Sequence, residues 1–242
     1  MKIAVKQQIN FSFVRASHSF LVVLFLLTYL QITAQPLPSQ LDLTQTGPDS
    51  FLVVFNTTKG EFTMKAHRSW SPLACDRLYL LAKKGYYNNN VIYRVAPTKS
   101  FEGGFVVQFG IGNSFDVNEA WDKYPIPDEP VVYHHQRGSV NFARGGPNSR
   151  TVQLAITLTP CLELDTVNYE GVVGFPTIAV VTEGMKVIES FNRKYGNAVF
   201  DSGDSLQLGR DYFDRVYPGL DRIISVVISK EWNKKLQGKP RK

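Results

Sequence analysis

The sequence predicts a mainly β protein, with a closed or nearly closed antiparallel barrel and two α-helices. Short segments rich in β-branched and aromatic residues recur along the chain and are separated by turn-forming residues. One of them, 61–66, alternates polar and apolar side chains, which places one face of the strand on a core. Two other stretches have the apolar spacing of helices. Several short strands with few helices are typical of a barrel.

Eight segments are predicted strands. In chain order they are 51–55, 61–66, 91–95, 105–109, 140–143, 153–158, 178–181 and 223–228. The turn at 56–60 joins the first two into a hairpin. It contains the triplet that begins at Asn56, which is an acceptor for glycosylation if the protein is secreted.

The first predicted helix follows Ser71 and Pro72, which supply an N-cap and a proline at the first helical position. This helix is expected to end at Gly85. A second helix is predicted over 185–191, and a helical turn is expected near 117–121.

The chain of 242 residues is long enough for one substantial domain, and its 43% of hydrophobic residues is typical of a globular core. Its net charge of +6 comes from the two ends, because segments 1–34 and 233–242 contain basic residues and no acidic ones. The domain between them is nearly neutral, which argues against a nucleic-acid partner. We divide the chain into an N-terminal segment 1–34, a polar linker 35–49, a domain 50–232 and a basic tail 233–242.

Residues 1–34 are predicted to be a secretory signal peptide. Basic residues precede an apolar run, 20–30, which is shorter than the ~20 residues needed to span a bilayer, and Ala34 offers a cleavage site. We therefore expect secretion or residence in an endomembrane lumen. The alternative is an uncleaved signal anchor, in which residues 19–34 hold the protein in a membrane.

Polar side chains interrupt two neighbouring apolar strands. Arg94 lies within 91–95, and Gln108 lies within 105–109. A guanidinium is rarely tolerated in an apolar strand unless it faces water or has partners. We therefore expect these two side chains to line a small binding site.

Residues suited to metal or redox chemistry are sparse. His134 and His135 have no accompanying set of Asp, Glu or Cys at ligand spacing, and adjacent residues of an extended chain point to opposite faces. The glycines near Phe105 do not match a dinucleotide-binding fingerprint. Cys75 and Cys161 are too few for a disulfide framework, and whether they form one bridge stays open. No metal or cofactor is predicted.

The chain resembles the cyclophilin family of peptidyl-prolyl cis-trans isomerases over nearly the whole domain. Five segments occur in the family's order: YRV at 93–95, FVVQ at 105–108, FARGGPNSRTVQLAI at 142–156, LD at 164–165 and TEGMKVIES at 182–190. With AWDKYPIPDEPV, GFPTIAVVTEGM and KYGN, the chain is most similar to a divergent subgroup with a long loop after FVVQ. The resemblance implies an eight-stranded antiparallel closed barrel with a helix over each open end. It also implies isomerase (rotamase) activity in protein folding without a cofactor.

The resemblance assigns catalysis to Arg94, which would donate to the prolyl nitrogen in the twisted transition state. The matching substrate-binding positions are Phe105, Gln108, Ala143, Arg144, Gln153 and Leu164. Phe105 and Leu164 would hold the proline ring, while Gln108 and the backbone of Arg144 would hold substrate carbonyls. The implied partners are proline-containing polypeptides, and we expect a monomer.

Three departures from the family pattern bear on activity. Residues 98–103 lengthen the connection between the strands that carry Arg94 and Phe105. Ala155 stands where the family usually has a pocket phenylalanine, and Glu163 stands where some members have a tryptophan. Two functions stay open. One is an isomerase acting on X-Pro bonds in proteins of the secretory pathway, which Arg94 favours. The other is a catalytically weak or inactive module that binds proline-containing peptides, which Ala155 favours.

Overall fold

One antiparallel sheet of eight strands dominates the described part of the chain. The computed structural model describes residues 35–97 and 105–233. The strands of the sheet are β1 Ser50–Thr57, β2 Gly60–His67, β3 Ile92–Pro97, β4 Phe105–Phe109, β5 Ser139–Phe142, β6 Leu154–Thr157, β9 Thr177–Glu183 and β10 Ile223–Trp232. A separate hairpin consists of β7 Asn168–Tyr169 and β8 Val172–Val173. All eight predicted strands are therefore confirmed.

The sheet curls until its two edge strands meet. The strand order is β10-β1-β2-β9-β5-β6-β4-β3, and every neighbouring pair is antiparallel. The edge strands β10 and β3 approach each other at one end. There the Ile92 amide donates to the Asp221 carbonyl and the Ile223 amide donates to the Asn90 carbonyl, each at 2.9 Å. These bonds join the edges at that end, so the predicted eight-stranded antiparallel, cyclophilin-like architecture is confirmed as a curled sheet that forms a half-barrel.

Alternating side chains of the strands fill the interior of the barrel. Phe51, Val53 and Phe55 of β1 are fully buried. Phe55 pairs with Phe62 of β2, and the two rings stack with their centroids 4.8 Å apart. Burial of one such side chain stabilises the fold by about 1.5–3 kcal/mol.

Helices lie around the sheet. In the described residues they are α1 Gln40–Leu43, α2 Pro72–Lys83, α3 Phe115–Asp122, α4 Glu163–Thr166, α5 Met185–Glu189, a 3₁₀ helix Phe200–Leu208 and α6 Arg210–Val216. The two predicted helices correspond to α2 and α5, although α5 ends two residues before the predicted boundary. The helical turn predicted near 117–121 lies within α3.

The N-terminus of α2 is capped by a distant carboxylate and not, as predicted, by Ser71. The Ser71 side chain makes no cap hydrogen bond to the helix. Instead the Glu129 carboxylate accepts from the Leu73 amide at 2.7 Å and from the Ala74 amide at 3.2 Å. A negative charge at this end also complements the helix dipole. The prediction was wrong because Glu129 is more than fifty residues away in sequence.

The 3₁₀ helix and α6 were not predicted, and they bring a second apolar cluster to the barrel. The buried members of this cluster are Val91, Tyr93, Ile111, Val199 and Phe213. Val91 borders β3 and Tyr93 belongs to it, while Val199 directly precedes the 3₁₀ helix and Phe213 belongs to α6. The cluster therefore holds residues 193–208 beside the strand that carries Arg94.

Residues 35–49, predicted to be a linker, lie against the domain. The Gln35 side chain donates to the Tyr86 carbonyl at 2.5 Å, and Trp121 Nε1 donates to the Pro36 carbonyl at 2.9 Å. Within the described residues, no helix has the length and apolar character needed to cross a bilayer. The predicted signal segment 1–34, the insertion 98–103 and the tail beyond residue 233 lie outside the described residues.

Candidate active site

Arg94 and Gln108 are direct neighbours across the β3–β4 pair. The strand register places them opposite each other, and Arg94 Nη1 donates to Gln108 Oε1 at 3.1 Å. Arg94 is 9% exposed and Gln108 is 4% exposed. The same register pairs Pro97, and not Arg94, with Phe105. The arginine predicted from sequence therefore has a buried polar partner.

The hydrogen bonds continue to a third strand. Gln108 Nε2 donates to Gln153 Oε1 at 3.4 Å, and the Tyr93 hydroxyl donates to the same oxygen at 2.7 Å. With its oxygen engaged twice, Gln153 has its NH₂ group left as a donor within the part of the chain that the structure describes. Gln153 is only half-buried, so this donor can reach a substrate carbonyl.

Two residues that the sequence analysis missed also hold Arg94. Asn197 Oδ1 accepts from Arg94 Nε at 2.8 Å. The Phe200 ring covers the guanidinium, with its centroid 4.4 Å from Arg94 Cζ. Asn197 is the last residue of the KYGN segment, which was noted as a point of similarity but given no role.

Burial changes the electrostatics of this guanidinium. Loss of hydration lowers the pKa of Arg94, while the nearby Asp201 carboxylate acts in the opposite direction. An arginine stays protonated even after such a shift, so the group is a cation that has been partly stripped of water. Hydrogen bonds from a charged donor are stronger in such surroundings than in water.

Phe105 lies beside this network and not within it. Phe105 is half-buried against the barrel core, and its amide donates to Thr159 Oγ1 at 3.1 Å. The guanidinium of Arg193 lies over its ring, with Cζ 4.9 Å from the centroid. Segment 193–200 thus contacts both Arg94 and Phe105.

Four residues on neighbouring strands form a row across the sheet, in the order Arg94, Gln108, Ala155 and Asn141. The register partners of Ala155 are Gln108 on β4 and Asn141 on β5. Ala155 is 9% exposed, and its methyl group contributes little apolar surface to the row. Ala143 lies next to this row, because its amide donates to the Gln153 carbonyl at 2.9 Å.

Arg144 and Leu164 meet through Phe175. The Arg144 side chain turns inward, where its guanidinium lies 4.5 Å from the Phe175 ring centroid and donates to the Val172 carbonyl at 3.0 Å. Burial lowers the pKa of Arg144. The Phe175 amide donates to the carbonyl of Leu164 at 2.7 Å, and Leu164 is itself buried. Of Arg144, the backbone is therefore the part available to a substrate.

A buried polar chain fixes the segment that follows Leu164. Asp165 Oδ1 lies 2.7 Å from His135 Nδ1, and Asp165 Oδ2 lies 3.1 Å from His134 Nδ1. His135 Nε2 lies 3.3 Å from Asn141 Oδ1, which connects the chain to β5. His134 is exposed and His135 is buried, yet both rings reach one carboxylate. This arrangement anchors the Leu164 segment to the barrel.

The described residues also include potential metal ligands and two thiols. In the part of the chain that the structure describes, no group of three or more His, Cys, Asp or Glu side chains is placed to hold a metal ion. Cys75 and Cys161 are both buried and form no disulfide. Burial raises the pKa of the Cys75 thiol, which leaves it protonated and unreactive at neutral pH.

Comparison with known proteins identifies the class. The family model described as cyclophilin type peptidyl-prolyl cis-trans isomerase/CLD matches residues 52–205, more than half of the chain. The chain belongs to this family of isomerases. The predicted family and enzyme class are therefore confirmed.

Two individual isomerases are similar to this chain in sequence, and two solved structures were also matched. The chain is 33% identical over 138 residues to peptidyl-prolyl cis-trans isomerase-like 1 of Aspergillus fumigatus, covering 57% of this chain and 79% of that protein. It is 30% identical over 146 residues to the isomerase cypE of Dictyostelium discoideum, covering 60% of this chain and 86% of that protein. A solved cyclophilin type isomerase of Cryptosporidium parvum aligns with a TM-score of 0.48 at 19% identity, covering 76% of this chain and 99% of that one. A second structure of that protein, solved in the presence of the dipeptide Ala-Pro, has a TM-score of 0.47 at 19% identity, covering 74% and 99%.

Proposed function

We propose that this isomerase accelerates rotation about X-Pro bonds in proteins of the secretory pathway, with Arg94 as its catalytic residue. The observation that carries the proposal is the placement of Arg94, a nearly buried cation whose guanidinium is held by Gln108 at 3.1 Å and Asn197 at 2.8 Å. A donor that is held in one orientation can stabilise a transition state without first being ordered.

The chemistry requires a donor at the prolyl nitrogen. A planar peptide bond resists rotation by ~18–20 kcal/mol, because nitrogen shares its lone pair with the carbonyl. In the twisted state the lone pair is localised and accepts a hydrogen bond, which the planar ground state does not offer. An N–H of Arg94 that binds only the twisted state lowers the barrier and adds little to ground-state affinity. No covalent step or proton transfer is needed.

The other predicted site residues would bind the polypeptide. The free NH₂ of Gln153 and the backbone of Arg144 would bind substrate carbonyls. Phe105 and Leu164 would contact the proline ring. The Gln108 side chain is engaged with Arg94 and Gln153, so its role in this scheme is to orient them. The substrate is a proline-containing polypeptide, and the enzyme acts as a monomer.

A binding module without strong catalysis is the second candidate. Its support is Ala155, which places a methyl group next to Gln108 where a larger side chain would add apolar contact area. A wide, weakly lined pocket binds the proline ring without fixing it, and rotation of the acyl side is then less favoured.

Exchange NMR on an Ala-Pro peptide tests the proposal, using protein recovered from secretory expression of the full chain. We expect catalysed cis-trans exchange, and Arg94→Ala should lower turnover about 10²–10³-fold with little change in peptide affinity. Arg94→Lys should have a turnover between those of Arg94→Ala and the wild type, because an ammonium lacks the planar, forked N–H donors of a guanidinium. Arg137→Ala is the matched control, since its side chain is half exposed and pairs with Glu189. Peptide binding at the uncatalysed exchange rate would favour the binding module.

The secretory location has its own test. The apolar run 20–30 is short and is followed by Ala34, which favours cleavage of the signal peptide. The mature chain should therefore begin near Gln35. N-terminal sequencing of protein from the secretory pathway measures this directly. An intact segment 1–34 that resists carbonate extraction would instead support anchoring by residues 19–34.

A further inference from the structure

Segment 193–200 forms one wall of the site, and its contacts with Arg94 limit what that side chain can do. Asn197 accepts from Nε at 2.8 Å, and the Phe200 ring lies 4.4 Å from Cζ. Gln108 accepts from Nη1 on the opposite side of the group. The guanidinium is thus held at two edges and covered on one face.

The donor inventory shows what remains for a substrate. A guanidinium has five N–H donors in a fixed plane. Among the residues that the structure describes, Asn197 engages one donor and Gln108 another, which leaves three, all on the terminal nitrogens. These N–H groups lie in the plane of the guanidinium, so any hydrogen bond from Arg94 to a substrate leaves in that plane, beside the face that Phe200 covers. That is the geometry a hydrogen bond to a prolyl nitrogen requires.

The orientation of Asn197 is itself determined. Its Nδ2 donates to the Pro97 carbonyl at 3.1 Å, so its Oδ1 must be the end that faces Arg94. The neighbouring residue Val199 is fully buried in the second apolar cluster. The Tyr217 hydroxyl donates to the Ala198 carbonyl at 3.3 Å. Local packing therefore sets the position of the Asn197 side chain.

We propose that Asn197 and Phe200 are positioning residues, which orient the guanidinium of Arg94 for the prolyl nitrogen. This inference rests on the proposed function of Arg94. It assigns to the C-terminal elements a part in catalysis that goes beyond covering the barrel. Neither residue touches the reacting atoms in this scheme. Asn197 fixes the plane of the guanidinium, and Phe200 excludes water from one face.

Kinetics of three variants test the proposal. Asn197→Ala should lower kcat about tenfold with KM nearly unchanged, because one charge-assisted hydrogen bond is lost. Asn197→Asp keeps an acceptor for Nε but loses the donor to the Pro97 carbonyl, so it should retain more of kcat than Asn197→Ala and less than the wild type. Phe200→Leu keeps apolar cover without the ring and should have an effect of about threefold or less. An Asn197→Ala enzyme with wild-type kcat would overturn the proposal.

A second readout does not need activity. The Nε–H proton of Arg94, assigned by its disappearance in Arg94→Lys, should exchange with solvent at least tenfold faster in Asn197→Ala than in the wild type. The Arg68 Nε–H, which donates to Asp76 at 2.7 Å, is the internal control and should not change. If the wild type proves inactive, the proposed function fails while this measurement still tests the contact. Unchanged exchange at Arg94 in Asn197→Ala would refute the positioning role.

Discussion

Arg94 and Gln108 face each other across the β3–β4 pair, with Arg94 Nη1 and Gln108 Oε1 3.1 Å apart. Gln108 in turn donates to Gln153, so one amide contacts both the arginine that we propose as catalytic and the glutamine that we propose binds substrate. In the proposed function, this cross-strand pair links catalysis to binding.

Gln108→Ala should reduce kcat/KM about tenfold, because Arg94 loses an acceptor and a buried donor is left without a partner. Gln108→Glu keeps the acceptor and should be less impaired. Exchange NMR on the Ala-Pro peptide measures both variants. The matched control is Gln207→Ala, whose amide donates to the Asp122 carboxylate and lies outside the proposed site. Equal activity in Gln108→Ala and wild type would contradict the role assigned to this residue.

The framework of the site could be predicted from sequence because its signals are local. Alternation in β2 buries Phe62, Met64 and Ala66, as the polar and apolar pattern of 61–66 predicted. Arg94 and Gln108 stood out because each interrupts an apolar strand. Buried polar residues in such positions need hydrogen-bond partners, and here Arg94 and Gln108 bond to each other.

The rest could not be predicted because it depends on long-range contacts. Asn197 lies 103 residues from Arg94, and nothing in its local sequence indicates that its side chain turns toward β3. Phe200 belongs to a short 3₁₀ helix with no clear apolar period. The inward turn of Arg144 depends on Val172, in the β7–β8 hairpin that the sequence analysis did not predict, and on Phe175, which follows that hairpin.

Glu129 supports a buried network on which the fold depends. Its carboxylate caps α2 and pairs with Arg150 Nη2 at 3.2 Å, and the Arg150 side chain is almost fully buried. Glu129→Ala should lower the free energy of unfolding by about 3–5 kcal/mol, because Arg150 is left as an unpaired buried charge. Glu119→Ala, which removes an exposed pair with Lys123, should cost under about 1 kcal/mol. Urea unfolding measures both, and similar losses in the two variants would contradict this account.

Stability should fall at alkaline pH. Burial raises the pKa of Cys75 and of the phenols of Tyr86, Tyr87 and Tyr93. Groups whose folded-state pKa lies above the unfolded value stabilise the fold fully below the unfolded pKa, here 9.0 for the thiol and 10.0 for the phenols. That contribution is lost as pH rises, by up to about 1.4 kcal/mol per pH unit for each group.

Urea unfolding at a series of pH values from about 8 to about 11 measures this loss. Tyr87→Phe should flatten the pH dependence, although it also removes the hydrogen bond from the Tyr87 hydroxyl to the Val152 carbonyl at 3.1 Å. Tyr169→Phe, which removes an exposed phenol, is the matched control. A free energy of unfolding that does not change with pH over this range would show that these phenols ionise as easily in the folded state as in the unfolded one.

Ala155→Phe should raise activity towards small X-Pro peptides. Ala155 lies between Gln108 and Asn141 across the sheet, and its methyl group adds little apolar surface to the proline pocket that we propose there. A phenyl ring there would add contact worth about 1–3 kcal/mol with the bound proline, if the ring is accepted without shifting the row. Exchange NMR measures the activity. The thermal unfolding temperature shows whether the ring fits without destabilising the fold. Ala120→Phe in α3 is the control. A fall in both activity and thermal stability would show that another side chain already fills the space.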